Sequence, residues 1–148
     1  MHTHDALVIG SGQAGPFLAV RLAQSGLKVA LIEREHYGGT CVNDGCIPTK
    51  TLVASARTAH VARRAAEYGV MLSGTVSVDM KAVMARKDRI VQQSVSSLTQ
   101  WLQGTAGLDL AWGHARFTGR DAIEGGGRAW WRPKRFINGG GRPVLADG

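Results

Sequence analysis

The chain contains two cysteines, Cys41 and Cys46, within the stretch GGTCVNDGCIPTK at residues 38–50. A close pair of thiols can be inert and buried, can form a reversible redox couple, or can contribute to a metal site. Structural zinc needs about four ligands, and only His36 stands near the two sulfurs, so no metal-ligating set is expected. A thioredoxin-type C-x-x-C spacing is absent as well. Gly38, Gly39, Thr40, Asn43, Asp44 and Gly45 surround the sulfurs and make this a poor core segment. The reactive form of a thiol is its thiolate, and the charge of Asp44, between the two cysteines, would disfavour a negative sulfur nearby.

A second group of residues has the spacing of a phosphate cradle. GSGQAG at residues 10–15 fits G-x-G-x-x-G. In that pattern Gly10 permits a tight turn, Gly12 lets the backbone approach a pyrophosphate, and Gly15 lets a helix pack closely on a strand. Ser11, Gln13 and Ala14 complete the loop, and the phosphates would face the open N–H groups of the helix start. Further along stands Glu33. A carboxylate there can accept hydrogen bonds from adenosine ribose hydroxyls, and by like charge it disfavours a 2′-phosphate. The loop alone leaves FAD and NAD open.

Both groups need elements to hold them. Residues 5–9, DALVI, read as a buried parallel strand. PFLAVRLAQSG follows the glycine loop with Phe17, Leu18 and Leu22 on one helical face and Gly26 as a stop. KVALIE, residues 28–33, reads as a second strand, so the chain opens as a βαβ unit. The alanine-rich run from residue 50 to about residue 64 predicts a helix, broken near Gly69. A long packing helix is expected over residues 78–103, with Met80, Val83, Met84, Ile90, Val91, Val95, Leu98, Trp101 and Leu102 at three-and-four spacing. Beyond Gly107 the texture turns to strand in LDLAWGHARFTG, RAWWRP and KRFINGG, with residues 125–127 as a hairpin turn. The fold class expected is α/β: a Rossmann-like parallel sheet plus a small antiparallel β element.

The 148 residues are 44% apolar and carry a formal net charge of +7. That composition suffices for a core. No apolar run approaches the roughly 18 residues of a membrane span, and the start MHTHDALVIG lacks the features of a secretory signal, so a soluble, cytoplasmic protein is expected. In a reducing compartment the two cysteines are a poor structural staple. The basic residues are spread along the chain, with a modest cluster at Arg128, Arg132, Lys134, Arg135 and Arg142. With no nucleic-acid motif among them, a solvated basic surface is expected rather than a nucleic-acid or membrane partner.

GGTCVNDGCIPTK resembles the redox-active signature of the pyridine nucleotide-disulfide oxidoreductases, flavoenzymes that include dihydrolipoamide dehydrogenase, glutathione reductase and mercuric reductase. GSGQAG and Glu33 stand where that family places its FAD site. GHARF at residues 113–117 resembles the family's adenine-contacting segment, and RFINGGGRP at 135–143 resembles its INTGxRP strand and turn. PTKTLVASARTAHVARRAAEYGV looks closest to the mercuric-reductase-like branch.

The resemblance implies FAD as cofactor and NAD(P)H as co-substrate, with electrons passing through a Cys41–Cys46 disulfide. Cys41 would be the interchange thiol that meets substrate, and Cys46 the thiol beside the flavin. Lys50, four positions beyond Cys46 and on the same helical face, would lie near the flavin N5, with Pro48 at a kink or first turn. Ser11, Gln13, Ala14, Arg34, Gly39, Thr40, His114, Ala115 and Gly139 would complete the cofactor contacts. Family members are roughly three times longer by domain count and act as homodimers. The chain is thus expected to be the N-terminal part of an FAD-binding domain, without the NAD(P)-binding and dimerisation domains, and inactive by itself. The alternatives are a truncated, non-catalytic FAD-binding remnant and a basic interaction module.

Overall fold

The computed structural model describes residues 4–131 and 134–140. In chain order its elements are β1 (Ala6–Ile9), α1 (Gly15–Gln24), β2 (Val29–Glu33), α2 (Gly39–Asn43), α3 (Cys46–Arg63), a 3₁₀ turn (Ala65–Tyr68), α4 (Met80–Gln103), β3 (Leu108–Trp112), β4 (Arg116–Phe117), β5 (Ala122–Gly125), β6 (Arg128–Trp131) and β7 (Lys134–Ile137).

Four parallel strands form the central sheet in the order β3-β2-β1-β7. Ala6 pairs with Val29 and with Lys134, and Val29 pairs in turn with Leu108. All four strands therefore end at the same edge of the sheet. Their side chains alternate between two faces, as the pleat requires, and both faces are covered. On one, Ala6, Val8, Val29 and Leu31 pack with Ala19, Val20 and Ala23 of α1 and with Leu102 of α4. On the other, Leu7, Ala30 and Ile32 pack with Ile123 and Trp130 of a three-stranded antiparallel sheet, order β4-β5-β6. A strand buried on both faces reads as a continuous apolar run, which is what DALVI and VALIE are.

The expected α/β class holds, with the parallel sheet and the separate antiparallel element both present. Several boundaries shift. The helix expected from residue 50 begins at Cys46, so Pro48 lies in its first turn, where a missing N–H costs nothing. The helix expected over 78–103 begins at Met80. Its N-cap, Asp79, accepts from the N–H groups of Lys81 at 2.9 Å and Ala82 at 3.1 Å. The packing role expected for that helix is met only in part. Of its apolar residues only Leu102 is buried, while Met80, Met84 and Trp101 stay exposed. The first part of α4 packs along α3, with Arg86 Nη1 donating to Thr51 O at 3.1 Å. Strand β5 was not foreseen, since DAIEG mixes charge and glycine. Gly125 belongs to it, and the hairpin turn is made by Gly126 and Gly127, both at positive φ. Arg132 and Arg142, of the expected basic cluster, lie outside the described residues.

Candidate active site: a cleft at the strand ends

The loops that leave the common edge of the parallel sheet converge. In an open α/β sheet this edge is where ligands bind. Residues 10–13 follow β1, residues 34–36 follow β2, residues 113–115 follow β3, and residues 138–140 follow β7. Together with Glu33 and part of α2 they line one cleft of about 610 Å³, within the size range of cofactor sites.

Two close approaches shape its floor. A Cβ on Gly15 would lie 2.1 Å from Gly10 O, and one on Gly39 would lie 3.0 Å from Gly12 Cα. The first lets α1 start directly against the end of β1. The second presses the cysteine segment onto the glycine loop. Gly38 N–H adds a hydrogen bond to Ser11 O at 3.0 Å. The two motifs singled out in the sequence therefore touch.

Glu33 is not a solvated strand end. It is 8% exposed, and its carboxylate accepts four hydrogen bonds. Ser11 N–H and Ser11 Oγ donate to Oε2 at 2.8 and 2.5 Å, and the N–H groups of Arg34 and Glu35 donate to Oε1 at 2.7 and 2.8 Å. Burial alone would push this carboxyl up. The Ser11 hydroxyl and the three N–H donors outweigh that and hold it below its ordinary value. Its charge in turn raises the phenol of Tyr37, after the larger effect of burial. The carboxylate lines the cleft as a fixed, preorganised acceptor.

Cys41 lies on α2 and lines the cleft; Cys46 is the first residue of α3. The pair thus straddles the junction of two helices. Asn43 fixes the shorter helix, its side-chain amide donating to Tyr37 O at 3.1 Å and Gly39 O at 2.9 Å. Both cysteines are free thiols. Hydrogen bonding to Cys46 is the main influence raising the Cys41 thiol; burial and the Cys46 charge add to it, while the Cys46 backbone and the Lys50 charge oppose it. The cause is thus the second sulfur. Asp44, expected to disfavour a thiolate, lines the cleft but is not among the groups that shift Cys41.

Of the residues expected to contact a cofactor, Gly10, Ser11, Gly12, Gln13, Glu33, Arg34, Gly39, Thr40, His114, Ala115 and Gly139 all line this cleft. Arg34 pairs with Glu35 at 3.1 Å. Ala14 and Gly15 form the start of α1 behind the wall. Cys46 and Lys50 are exposed on α3 and are not part of the wall. Sequence reasoning gave His36 no cofactor role, and Gly113 and Asn138 entered it only as members of the segments 113–117 and 135–143. Each is in the loop that follows a parallel strand, and that placement is the signal that could have found them. Among the described residues, no group of three or more His, Cys, Asp and Glu side chains is placed to hold a metal ion, and no helix is long and apolar enough to cross a membrane.

The donor set suits a dinucleotide. Two N–H groups at the start of α1, those of Gln13 and Ala14, have no acceptor among the described residues, which is what an anion at a helix start needs. A fixed carboxylate for hydroxyl groups stands at Glu33, and Cys41 lines the same cleft.

A family profile described as pyridine nucleotide-disulphide oxidoreductase matches residues 4–144. The dihydrolipoyl dehydrogenase of Rhizobium etli is 41% identical over 116 residues, which are 78% of this chain and 24% of that protein. The dihydrolipoyl dehydrogenase of Thermus scotoductus is 36% identical over 148 residues, covering 100% of this chain and 32% of that one. Among solved structures, the HOCl-induced flavoprotein disulfide reductase RclA from Escherichia coli superposes with a TM-score of 0.79 at 34% identity, over 96% of this chain and 29% of that chain. The chain spans about a quarter to a third of the length of these relatives.

Proposed function

The chain belongs to the pyridine nucleotide-disulphide oxidoreductase family, and on that premise we propose that it is the FAD-holding part of a flavin disulfide oxidoreductase whose Cys41 and Cys46 carry electrons to and from substrate. The single observation that supports this most is the contact between the two motifs: the glycine loop and the cysteine segment form adjoining walls of one cleft.

In this reading the N–H groups of Gln13 and Ala14 receive the pyrophosphate, Glu33 receives the ribose hydroxyls, and His114, Ala115 and Gly139 flank the remainder. When bound, FAD supplies a two-electron relay between a nicotinamide and the cysteine pair. The rest of the chemistry belongs to this chain. A Cys41 thiolate attacks one sulfur of a substrate disulfide; that bond breaks, and the leaving sulfur takes up a proton. Cys46 then attacks the Cys41 sulfur, releasing the second thiol and closing the Cys41–Cys46 bond. Reopening that bond takes two electrons and two protons. The nearness of the two thiols supports this order, Cys46 being the main influence on the Cys41 thiol.

The substrate proposed is a disulfide or dithiol, or a soft metal ion taken up by the same thiolates. The stretch at residues 48–70 supports the mercuric-reductase-like branch. NAD(P)H as electron donor, a homodimer as the working form and the cytoplasm as compartment complete the proposal, with the nicotinamide and dimer contacts made by residues outside these 148. The test is the flavin itself. The purified protein should retain FAD absorbance, and Gly12→Val, which drives a side chain toward both the Asn138 amide and the loop face, should lose it. Wild-type flavin content in that variant would rule the assignment out.

A further inference from the structure

Strand β7 ends at Ile137, and the next residue, Asn138, reaches into the glycine loop from outside it. Its backbone N–H donates to Ile9 O at 2.7 Å, so it sits level with the end of β1. A terminal atom of its amide lies 3.1 Å from where a Cβ on Gly12 or on Gly15 would sit. The groups facing that end of the amide are N–H donors, so the amide oxygen is the atom that faces them. It accepts from Gly15 N–H at 2.9 Å and from Gly12 N–H at 3.3 Å. Gly15 is the first residue of α1, whose opening N–H groups have no acceptor within the helix; the next residue, Pro16, has no N–H at all. The donors left at this turn are those of Gln13, which lines the cleft, and of Ala14, the exposed residue that follows it; neither has an acceptor among the described residues.

A carboxylate would accept from the same two N–H groups more strongly than an amide, because the start of a helix favours negative charge. It would also place that charge where a pyrophosphate is to bind. An amide satisfies the loop and leaves the positive field unspent. We infer that Asn138 is a positioning residue for the anionic part of the cofactor: its neutral amide fastens the glycine loop to β7, occupies two donors, and leaves the Gln13 and Ala14 N–H groups to the phosphates. The ligand half of this inference rests on the dinucleotide reading of the cleft; the fastening half does not.

The experiment compares the wild-type protein with Asn138→Asp and Asn138→Ala, measuring Tm without ligand and affinity for ADP and for adenosine. Asn138→Ala leaves two N–H groups unpaired and lowers Tm. Asn138→Asp restores both acceptors and returns Tm to the wild-type value or above it. The Asp variant binds ADP at least about tenfold more weakly, the order expected of like charges close together near a protein surface, and the deficit shrinks with added salt. Its affinity for adenosine, which has no phosphate, stays at the wild-type level. Wild-type ADP affinity in the Asp variant overturns the inference, as does a Tm as low as that of the Ala variant, or an adenosine affinity reduced as much as that for ADP. If the wild-type protein binds neither ligand, the dinucleotide reading fails, and the order of the three Tm values alone decides whether Asn138 fastens the loop.

Discussion

At the scale of single residues, Ser11 and Cys46 act by placing protons and charge on their neighbours. Ser11 is fully buried and gives both its N–H and its hydroxyl to Glu33. Hydrogen bonds to a charged group contribute about 1.5–3 kcal/mol each, so Ser11→Ala should lower stability at neutral pH by roughly that much, measured by urea unfolding. The pH dependence has a definite sign. A carboxyl held below its ordinary value of 4.5 contributes stability above that pH and loses it as pH falls through the lowered folded value. The wild-type and Ser11→Ala stabilities should therefore converge on acidification; a gap that stays constant with pH would place the effect elsewhere. Cys46 acts on Cys41 in the opposite direction. Replacing Cys46 with alanine removes the main cause of the raised Cys41 thiol, so Cys41 should titrate closer to its ordinary value of 9.0. More thiolate is then present at any pH below that value, and alkylation of Cys41 by iodoacetamide at pH 8 should speed up. A slower or unchanged rate would contradict the influence of Cys46 on Cys41.

At the scale of elements, α4 shows how unevenly a helix can be held. Leu102 is its one buried residue and lies in the core shared by α1 and the sheet. Leu102→Ala should cost about 2–5 kcal/mol, the range for a large side chain lost from a packed core. Met84→Ala, on the exposed stretch beside α3, should stay within about 0.5 kcal/mol. Equal losses at the two sites would mean that α4 is packed along its whole length. The same helix marks a limit of sequence reading. Its apolar spacing was plain, but spacing gives a face and not the partner for it: Val83, Ile90, Val91, Val95 and Leu98 are half-buried, while Met80, Met84 and Trp101 stay exposed. The opening βαβ unit was legible because DALVI, GSGQAG and VALIE each carry a period or a motif of their own. β5 was not, because Ala122–Gly125 owes its strand to pairing with β4 and β6 rather than to its own residues. The start of α3 was misplaced because Pro48 suggests an interruption, although a proline in a first turn is compatible with helix.

At the scale of the molecule, the parallel sheet turns separate motifs into one cleft. Glu33, the glycine loop and Cys41 could be nominated by type and spacing. Asn138 could be placed in the INTGxRP-like segment but given no role, since its contact with the glycine loop is unknown until β7 is known to lie beside β1. The 148 residues hold one glycine loop, whereas transfer from a nicotinamide to a flavin needs two dinucleotide sites. Residues 1–148 alone, given FAD and NADH or NADPH, should therefore reduce an aromatic disulfide reagent no faster than free flavin does. Turnover above that background that disappears with Cys41→Ser would show that these residues suffice. The central claim is that the cofactor cleft and the cysteine pair form one redox unit. It is tested most directly by an anaerobic two-electron titration of the oxidised, FAD-loaded protein, followed by its absorption spectrum. The account predicts that the first two electrons open the Cys41–Cys46 bond while the flavin stays oxidised, with a broad long-wavelength band that Cys41→Ser keeps and Cys46→Ser lacks. Bleaching of the flavin by those first electrons, with both thiols free from the outset, would contradict it.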